Sequence, residues 1–179
     1  MIFERTAVPD VWCIRTERLE DDRGWFCRTW DTDDFARHGI DSRTVQCSAS
    51  FNAAAGTLRG MHYQAAPFEE TKLVRCVRGA VFDVAVDLRP GSPAFGTWVG
   101  RELSADNGLM LSIPAGCAHG FQTLVAGTEL SYQISERFSP DHQRGVRWDD
   151  PAFAIRWPDA PPGGRIISER DRSFGDFRP

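Results

Sequence analysis

Lysine is nearly missing from this chain: of 21 basic residues in 179, Lys72 is the sole lysine. Tyrosine is almost as scarce, Tyr63 and Tyr132 standing against 12 phenylalanines. Histidine occurs four times, at 38, 62, 119 and 142. The five cysteines (Cys13, Cys27, Cys47, Cys76 and Cys117) are odd in number and show no CxxC spacing. They read as reduced, mostly buried thiols of a cytoplasmic protein. An excess of positive charge is absent as well. Net charge is −4 and the arginines are scattered, so no nucleic-acid or membrane footprint is expected. Met1 to Arg5 leads into no long apolar segment, which argues against a signal peptide, and no apolar run reaches the length of a membrane span. Repeats and low-complexity segments are missing too. What remains is 41% hydrophobic and 26% charged, ordinary values for one globular domain over residues 1–179 with a sizeable core.

The most informative stretch is Gly56-Thr57-Leu58-Arg59-Gly60-Met61-His62-Tyr63-Gln64, followed ten residues after His62 by Lys72. It reads as a strand. Strict alternation places Leu58, Gly60, His62 and Gln64 on one face and Arg59, Met61 and Tyr63 on the other. Lys72 enters on the next strand. A chain so biased toward arginine that keeps one compact ammonium beside a histidine strand points to a site that needs it, because Lys and Arg are not chemically interchangeable. A lone surface lysine is the competing reading.

Around that stretch the pattern is short strands and turns. Val11–Arg15 is a strand candidate. The turn at 20–24 leads to an aromatic strand from Trp25 to Trp30. Asp31 to His38 reads as a helix capped by Asp31 or Thr32, with Phe35 and Ala36 inward and Gly39 ending it. Thr44–Phe51 follows as a strand. Lys72–Arg78 and Ala80–Leu88 read as a hairpin around Gly79. In its second arm Phe82, Val84, Val86 and Leu88 share one face. Val81, Asp83, Ala85 and Asp87 share the other, which either lines a pocket or faces solvent. Strands at 97–103, 109–113, 119–125 and 128–134 bring the count to roughly ten. Such spacing predicts an all-β antiparallel jelly roll. After Pro140 the chain turns irregular, and this tail is expected to wrap the barrel rather than extend it.

Pro114-Ala115-Gly116-Cys117-Ala118-His119 resembles the second motif of the cupin superfamily. The first cupin motif would supply a His-x-His, and here the matching place reads His62-Tyr63-Gln64. Two histidines without a clear third ligand make a poor first-row metal site, so no bound metal is expected. His119 alone could equally be a hydrogen-bonded core residue.

The match then widens. Gly56 to Gln64, Lys72-Leu73-Val74-Arg75, Arg78 to Val84, Ile113 to Phe121, Gly145-Val146-Arg147-Trp148-Asp149-Asp150-Pro151 and Ile167 to Arg172 appear in order. Together they resemble the dTDP-4-dehydrorhamnose 3,5-epimerase family, over about residues 2 to 173. The resemblance implies a cupin-type jelly roll with one short N-terminal helix and no cofactor. It implies a nucleotide-linked 4-keto-6-deoxyhexose substrate whose C3 and C5 protons are acidified by the C4 carbonyl. It also implies a catalytic set: His62 as base, Tyr132 as acid from the opposite face, Lys72 holding the enolate oxygen, and Asp171 paired with His62. By the same resemblance Arg59 and Arg23 grip the diphosphate, Arg23 reaching across from a partner in a homodimer with exchanged N-terminal strands. His119 and Arg170 fall at sugar and basic contact positions, and Phe26 belongs to the aromatic cluster with Trp25 and Trp30.

Four departures gather at the nucleotide end. Arg28 stands where many members carry Glu, Ser48 in a Gln46-Cys47-Ser48 run where Asn is common, Phe138 in place of a stacking tyrosine, and Gln143 in place of Glu. Phe138 keeps a π face, whereas Arg28 reverses a charge. The base bound is therefore the open question, and a mono-epimerase acting at C3 or C5 alone is the alternative. A metal-dependent cupin oxygenase and a non-catalytic sugar-binding jelly roll are the more distant ones. The first lacks its His-x-His, and the second has no need of His62, Tyr132 and Lys72 together.

Overall fold

The computed structural model describes residues 1–41 and 43–178. In chain order the strands are β1 (Ile2–Arg5), β2 (Trp12–Arg15), β3 (Leu19–Asp21), β4 (Gly24–Phe26), β5 (Gln46–Asn52), β6 (Thr57–Gln64) and β7 (Lys72–Arg78). There follow β8 (Ala80–Asp87), β9 (Trp98–Ser104), β10 (Leu109–Ile113), β11 (Cys117–Thr123), β12 (Thr128–Ile134), β13 (Gln143–Gly145) and β14 (Ile166–Ile167). Two α-helices, α1 (Thr32–Arg37) and α2 (Glu169–Arg172), and a 3-10 turn at Pro140–His142 accompany them among the described residues. One sheet runs β1-β2-β10-β7-β12-β5 and the other β13-β6-β11-β8-β9, with β14 added in parallel on β6. Apart from β14 every pairing is antiparallel, so the expected cupin-type jelly roll is the fold.

Three apolar clusters explain why these segments are strands. Val74, Cys76, Val81, Ala85, Val99, Leu103, Leu111, Phe121 and Leu130 fill the space between the sheets. Trp12, Ile14, Leu73 and Met110 pack behind the first sheet against Phe35 of α1. Met61, Val84, Val86 and Ala118 pack behind the second, against Val146 and Phe153 of the C-terminal tail. With both its faces covered, β8 reads as an almost unbroken apolar run, as doubly buried strands do. Its mixed face points inward, where Asp83 and Asp87 have no exposure at all. Solvation of that face is thereby ruled out.

Several expectations change. The proposed hairpin of β7 and β8 is a corner: β7 pairs with β10 and β12, β8 with β9 and β11. Gly79 (φ +76°) turns the chain from one sheet into the other, and a Cβ there would lie 2.4 Å from the Thr128 hydroxyl. A glycine turn between two apolar runs reads the same whether the arms pair with each other or with distant strands. The aromatic strand stops at Phe26, because β4 finds a ladder partner only in β3, on a ribbon separate from both sheets. Strand propensity without a partner strand does not hold a ladder. In α1, Asp31 caps as expected, accepting the Asp33 and Asp34 N–H groups at 3.1 Å. Ala36 is exposed rather than inward, since a helix of six residues has one contact line and Phe35 occupies it. The tail both wraps and extends, with β13 forming a new edge on β6.

The irregularity that matters most lies in β6. His119 of β11 faces His62, but Phe121 faces Arg59, so β6 carries one extra residue at Gly60–Met61. This bulge breaks the strict alternation expected of the strand. Arg59 and His62 come to the same side, while Met61 packs into the outer cluster and Tyr63 reaches both that cluster and the cavity wall. Gly60 (φ +135°) permits it: a Cβ there would sit 2.5 Å from the Gly120 Cα, backbone against backbone. Gly39 (φ +72°) has open space instead. Gly39→Ala is therefore expected to cost about 1–2 kcal/mol, the left-handed penalty alone. Gly60→Ala should cost about 3 kcal/mol or more, among the larger single-residue effects. Denaturant unfolding of both variants checks this, and equal costs would refute the close approach.

Candidate active site

A cavity of about 360 Å³ opens on the inner side of the sandwich. Its wall is built from β6 (Arg59, His62, Gln64), β7 (Lys72), β11 (His119, Phe121), β12 (Tyr132, Ile134) and β5 (Gln46, Ser48, Ser50), with Glu70, Phe138 and Gln143 at the connecting segments. Neighbouring strands thus bring together groups that lie far apart in the chain.

The bulge makes the central contact. It leaves the Gly60 N–H outside the ladder, and Asp171 Oδ2 accepts it at 3.2 Å. The other carboxylate oxygen, Oδ1, lies 2.7 Å from His62 Nε2. Asp171 belongs to α2, whose Ser168 cap accepts the Asp171 N–H at 3.1 Å. The residue is 4% exposed, buried at the site rather than carried on the surface of the tail. Burial alone would raise its pKa, but hydrogen bonds from His62, the Gly60 N–H and Ser168 outweigh that and hold it below the usual carboxylate value. With Asp171 as the acceptor at Nε2, Nδ1 is the ring nitrogen of His62 left to act as a base.

A second pair lies beside the first. His119 Nε2 is 2.8 Å from Asp83 Oδ1, and Asp83 Oδ2 is buried with no partner among the described residues. His119 is therefore both a hydrogen-bonded interior residue and part of the cavity wall. Its ring meets that of Tyr132 edge-on at 6.2 Å between centroids. Burial pushes the Tyr132 phenol well above its ordinary pKa, opposed by the Ser50 hydroxyl 3.2 Å away. Such a phenol is neutral at physiological pH and keeps its proton available. Lys72 Nζ donates to Glu70 Oε1 at 2.8 Å and to the His62 carbonyl at 3.3 Å. Arg59 Nε donates to Asn52 Oδ1 at 2.8 Å. One cavity therefore holds an imidazole oriented by a carboxylate, an un-ionised phenol, an ammonium and a guanidinium. That set suits proton abstraction beside a carbonyl in an anionic ligand.

Most of the residues singled out from sequence meet here. His62, Lys72, Tyr132, Gln46, Ser48, Arg59, His119, Phe138 and Gln143 line the cavity, with Asp171 bonded to His62. Arg170 lines a contiguous cleft that shares Arg59 and His62. Arg23, Phe26 and Arg28 do not reach the cavity within this chain. Arg23 sits at the tip of the β3–β4 ribbon paired with Asp21, its side chain 89% exposed, and Arg28 pairs with Asp31. Sequence reasoning missed Ser50, Gln64, Glu70, Asn52 and Asp83. Period-2 alternation along β5 and β8 puts Ser50 with Ser48 and Asp83 with Ala85, so the signal existed. Gln64 likewise shares the His62 face of its strand by alternation, whereas nothing local marks Glu70. Gln64 acts as a strut, its side-chain oxygen accepting the Ser139 N–H at 2.6 Å and its amide reaching the Phe68 and Arg137 carbonyls.

Comparison with known proteins points to one family. The protein family described as dTDP-4-dehydrorhamnose 3,5-epimerase matches residues 5–178. A dTDP-4-dehydrorhamnose 3,5-epimerase of Sinorhizobium fredii is 46% identical over 173 residues, covering 97% of this chain and 88% of that protein. The crystal structure of a dTDP-4-dehydrorhamnose 3,5-epimerase from Bacillus anthracis, with TDP and PPi bound, superposes with a TM-score of 0.92 at 39% identity, covering 98% of this chain and 99% of the other. A dTDP-6-deoxy-D-glucose-3,5-epimerase from Legionella pneumophila, in complex with dTDP-4-keto-L-rhamnose, gives 0.88 at 36% identity, covering 95% of this chain and 89% of the other.

Proposed function

This chain belongs to the dTDP-4-dehydrorhamnose 3,5-epimerase family, and on that premise we propose that it converts dTDP-4-keto-6-deoxyglucose to dTDP-4-keto-L-rhamnose by inverting C3 and C5. The observation that carries the reading is the His62–Asp171 pair at the β6 bulge, facing a cavity that also holds Tyr132 and Lys72. The enzyme is a carbohydrate epimerase of deoxysugar biosynthesis, and the whole 1–179 chain is read as its single domain.

The mechanism follows from the charge states. The C4 carbonyl acidifies the protons on C3 and C5. His62 Nδ1 takes one of them, and Asp171 steadies the imidazolium that forms; a positioned base of this kind contributes roughly 10²–10⁴ in rate. The electron pair moves onto the C4 oxygen, where the Lys72 ammonium meets the developing negative charge. Tyr132 then donates its proton to the opposite face of the carbon, which inverts it. Once His62 has released its proton to water and Tyr132 has taken one back, turning the sugar presents the second carbon to the same groups. Arg59 supports the anionic diphosphate, aided by Arg170 in the adjoining cleft. At the rim, the Phe138 ring is 55% exposed and held by its N–H to Gln46 Oε1, which suits stacking on a base, with Ser48 and Gln143 alongside.

The same reading includes a homodimer with exchanged N-terminal strands. The β3–β4 ribbon leaves Leu19 at 69%, Trp25 at 48% and Phe26 at 66% exposure, an apolar surface suited to a second copy. Such an exchange would carry Arg23, Phe26 and Arg28 to the partner's cavity. A cytoplasmic site of action is part of the proposal and is supported by five free cysteines. Among the described residues no helix is long and apolar enough to cross a membrane.

Two outcomes are expected. His62→Asn should abolish conversion, followed by product chromatography, while calorimetry shows dTDP binding within about threefold of wild type, since the base acts on the sugar and not the diphosphate; retained turnover would remove His62 from the mechanism. Sedimentation should give a dimer that Trp25→Ser with Phe26→Ser converts to monomer with loss of turnover, and a fully active monomer would contradict the exchange.

A further inference from the structure

Glu70 is the one acidic residue among the described residues lining the main cavity. A carboxylate is out of place in a cavity read as the site of a nucleoside diphosphate sugar, because it repels the ligand's charge. Its surroundings resolve the contradiction. Glu70 Oε1 lies 2.8 Å from Lys72 Nζ, with side-chain exposures of 10% and 12%. A pair this sheltered from solvent keeps much of its attraction and holds a fixed geometry.

The backbone sets the two residues side by side. Ser135 Oγ accepts the Thr71 N–H at 2.8 Å, and the Thr71 carbonyl accepts the Ser135 N–H at 3.0 Å. Thr71 is thus fastened to the segment after β12 at the point where β7 begins. Residues on either side of it, two apart in an extended segment, project to the same face. That face is the cavity.

An ammonium has three N–H donors. In Lys72 one is directed at Glu70 and a second at the His62 carbonyl, 3.3 Å away. With two directions fixed, the tetrahedral geometry fixes the third, and Lys72 lines the cavity. We propose that Glu70 is a positioning residue: it anchors the Lys72 ammonium so that its remaining N–H faces the developing enolate oxygen, and it offsets a second positive charge beside the imidazolium formed on His62. This rests on the epimerase reading above for its catalytic half. The anchoring half stands without it.

Two experiments separate the halves. Because Lys72 is the only lysine, growth on [ε-15N]lysine gives a single side-chain ammonium signal. Its protons should exchange with water about tenfold faster in Glu70→Gln than in wild type, the loss expected for one charge-assisted hydrogen bond. Unchanged exchange would overturn the anchoring. In turnover of dTDP-4-keto-6-deoxyglucose, Glu70→Gln should lower kcat by about ten- to a hundredfold with KM within about twofold, as for a misplaced catalytic group. Against a Lys72→Met background the same substitution should change kcat by less than about twofold, because Glu70 acts only through Lys72. The double variant removes both charges and so avoids stranding a lone carboxylate. An equal loss in both backgrounds would show that Glu70 acts directly or through general destabilisation, and would overturn the proposal. Wild-type enzyme without turnover would refute the epimerase reading, and the exchange measurement would still decide the anchoring.

Discussion

One carboxylate joins the fold to the chemistry. Asp171 accepts the Gly60 N–H that the β6 bulge removes from the ladder, and it also meets the His62 ring. The contact depends on three separate features. Gly60 and Gly120 let two backbones approach within what a side chain would fill. The bulge turns His62 to the side of Arg59. The C-terminal tail returns through β14 along β6 and delivers α2, with Ser168 capping the turn that holds Asp171. Without the tail the bulge would leave a buried amide unpaired, at a cost of about 1–3 kcal/mol. The tail is therefore part of the site as much as a cover for the outer face of the second sheet.

The interior of the sandwich is divided in the same way. Apolar residues fill the space between the sheets, and polar groups gather where β5, β6, β11 and β12 open. Each of five such groups there has a polar partner that holds it in place: Asp171 for His62, Asp83 for His119, Glu70 for Lys72, Asn52 for Arg59, Ser50 for Tyr132. Burial acts in opposite senses on two of them. It keeps the Tyr132 phenol protonated, whereas for Asp171 the donors around the carboxylate prevail over burial and keep it charged. A neutral acid and an oriented base in one cavity are what inversion through an enolate requires.

The strand pattern, the capped helix and the cupin-type topology were legible because alternation, turn residues and the Pro-x-Gly-x-x-His run are local signals. The scarcity of lysine points to Lys72 for a chemical reason that needs no coordinates, whereas Tyr132 is singled out from Tyr63 only by the family resemblance. Illegible were the features set by distant partners. Arg59 and His62 look like opposite faces of one strand until the Gly60 bulge is seen. Gly79 reads as a hairpin turn until its arms are found in different sheets. Asp171 is placed beside His62 by the family resemblance alone, its own neighbours suggesting a surface residue of an irregular tail, and Glu70 looks like one of two glutamates in a loop. Arg23 and Arg28 remain on an exposed ribbon, and their place at a cavity depends on a second copy of the chain.

The most direct test of the account is the pattern of isotope incorporation. Enzyme and dTDP-4-keto-6-deoxyglucose are mixed in deuterium oxide, and label is followed at C3 and C5 of the sugar. The account predicts deuterium at both carbons in the wild type and none at either with Asp171→Asn at matched times. Label at one carbon only would make the enzyme a mono-epimerase. Undiminished label in Asp171→Asn would contradict the central claim that the carboxylate at the bulge empowers the base.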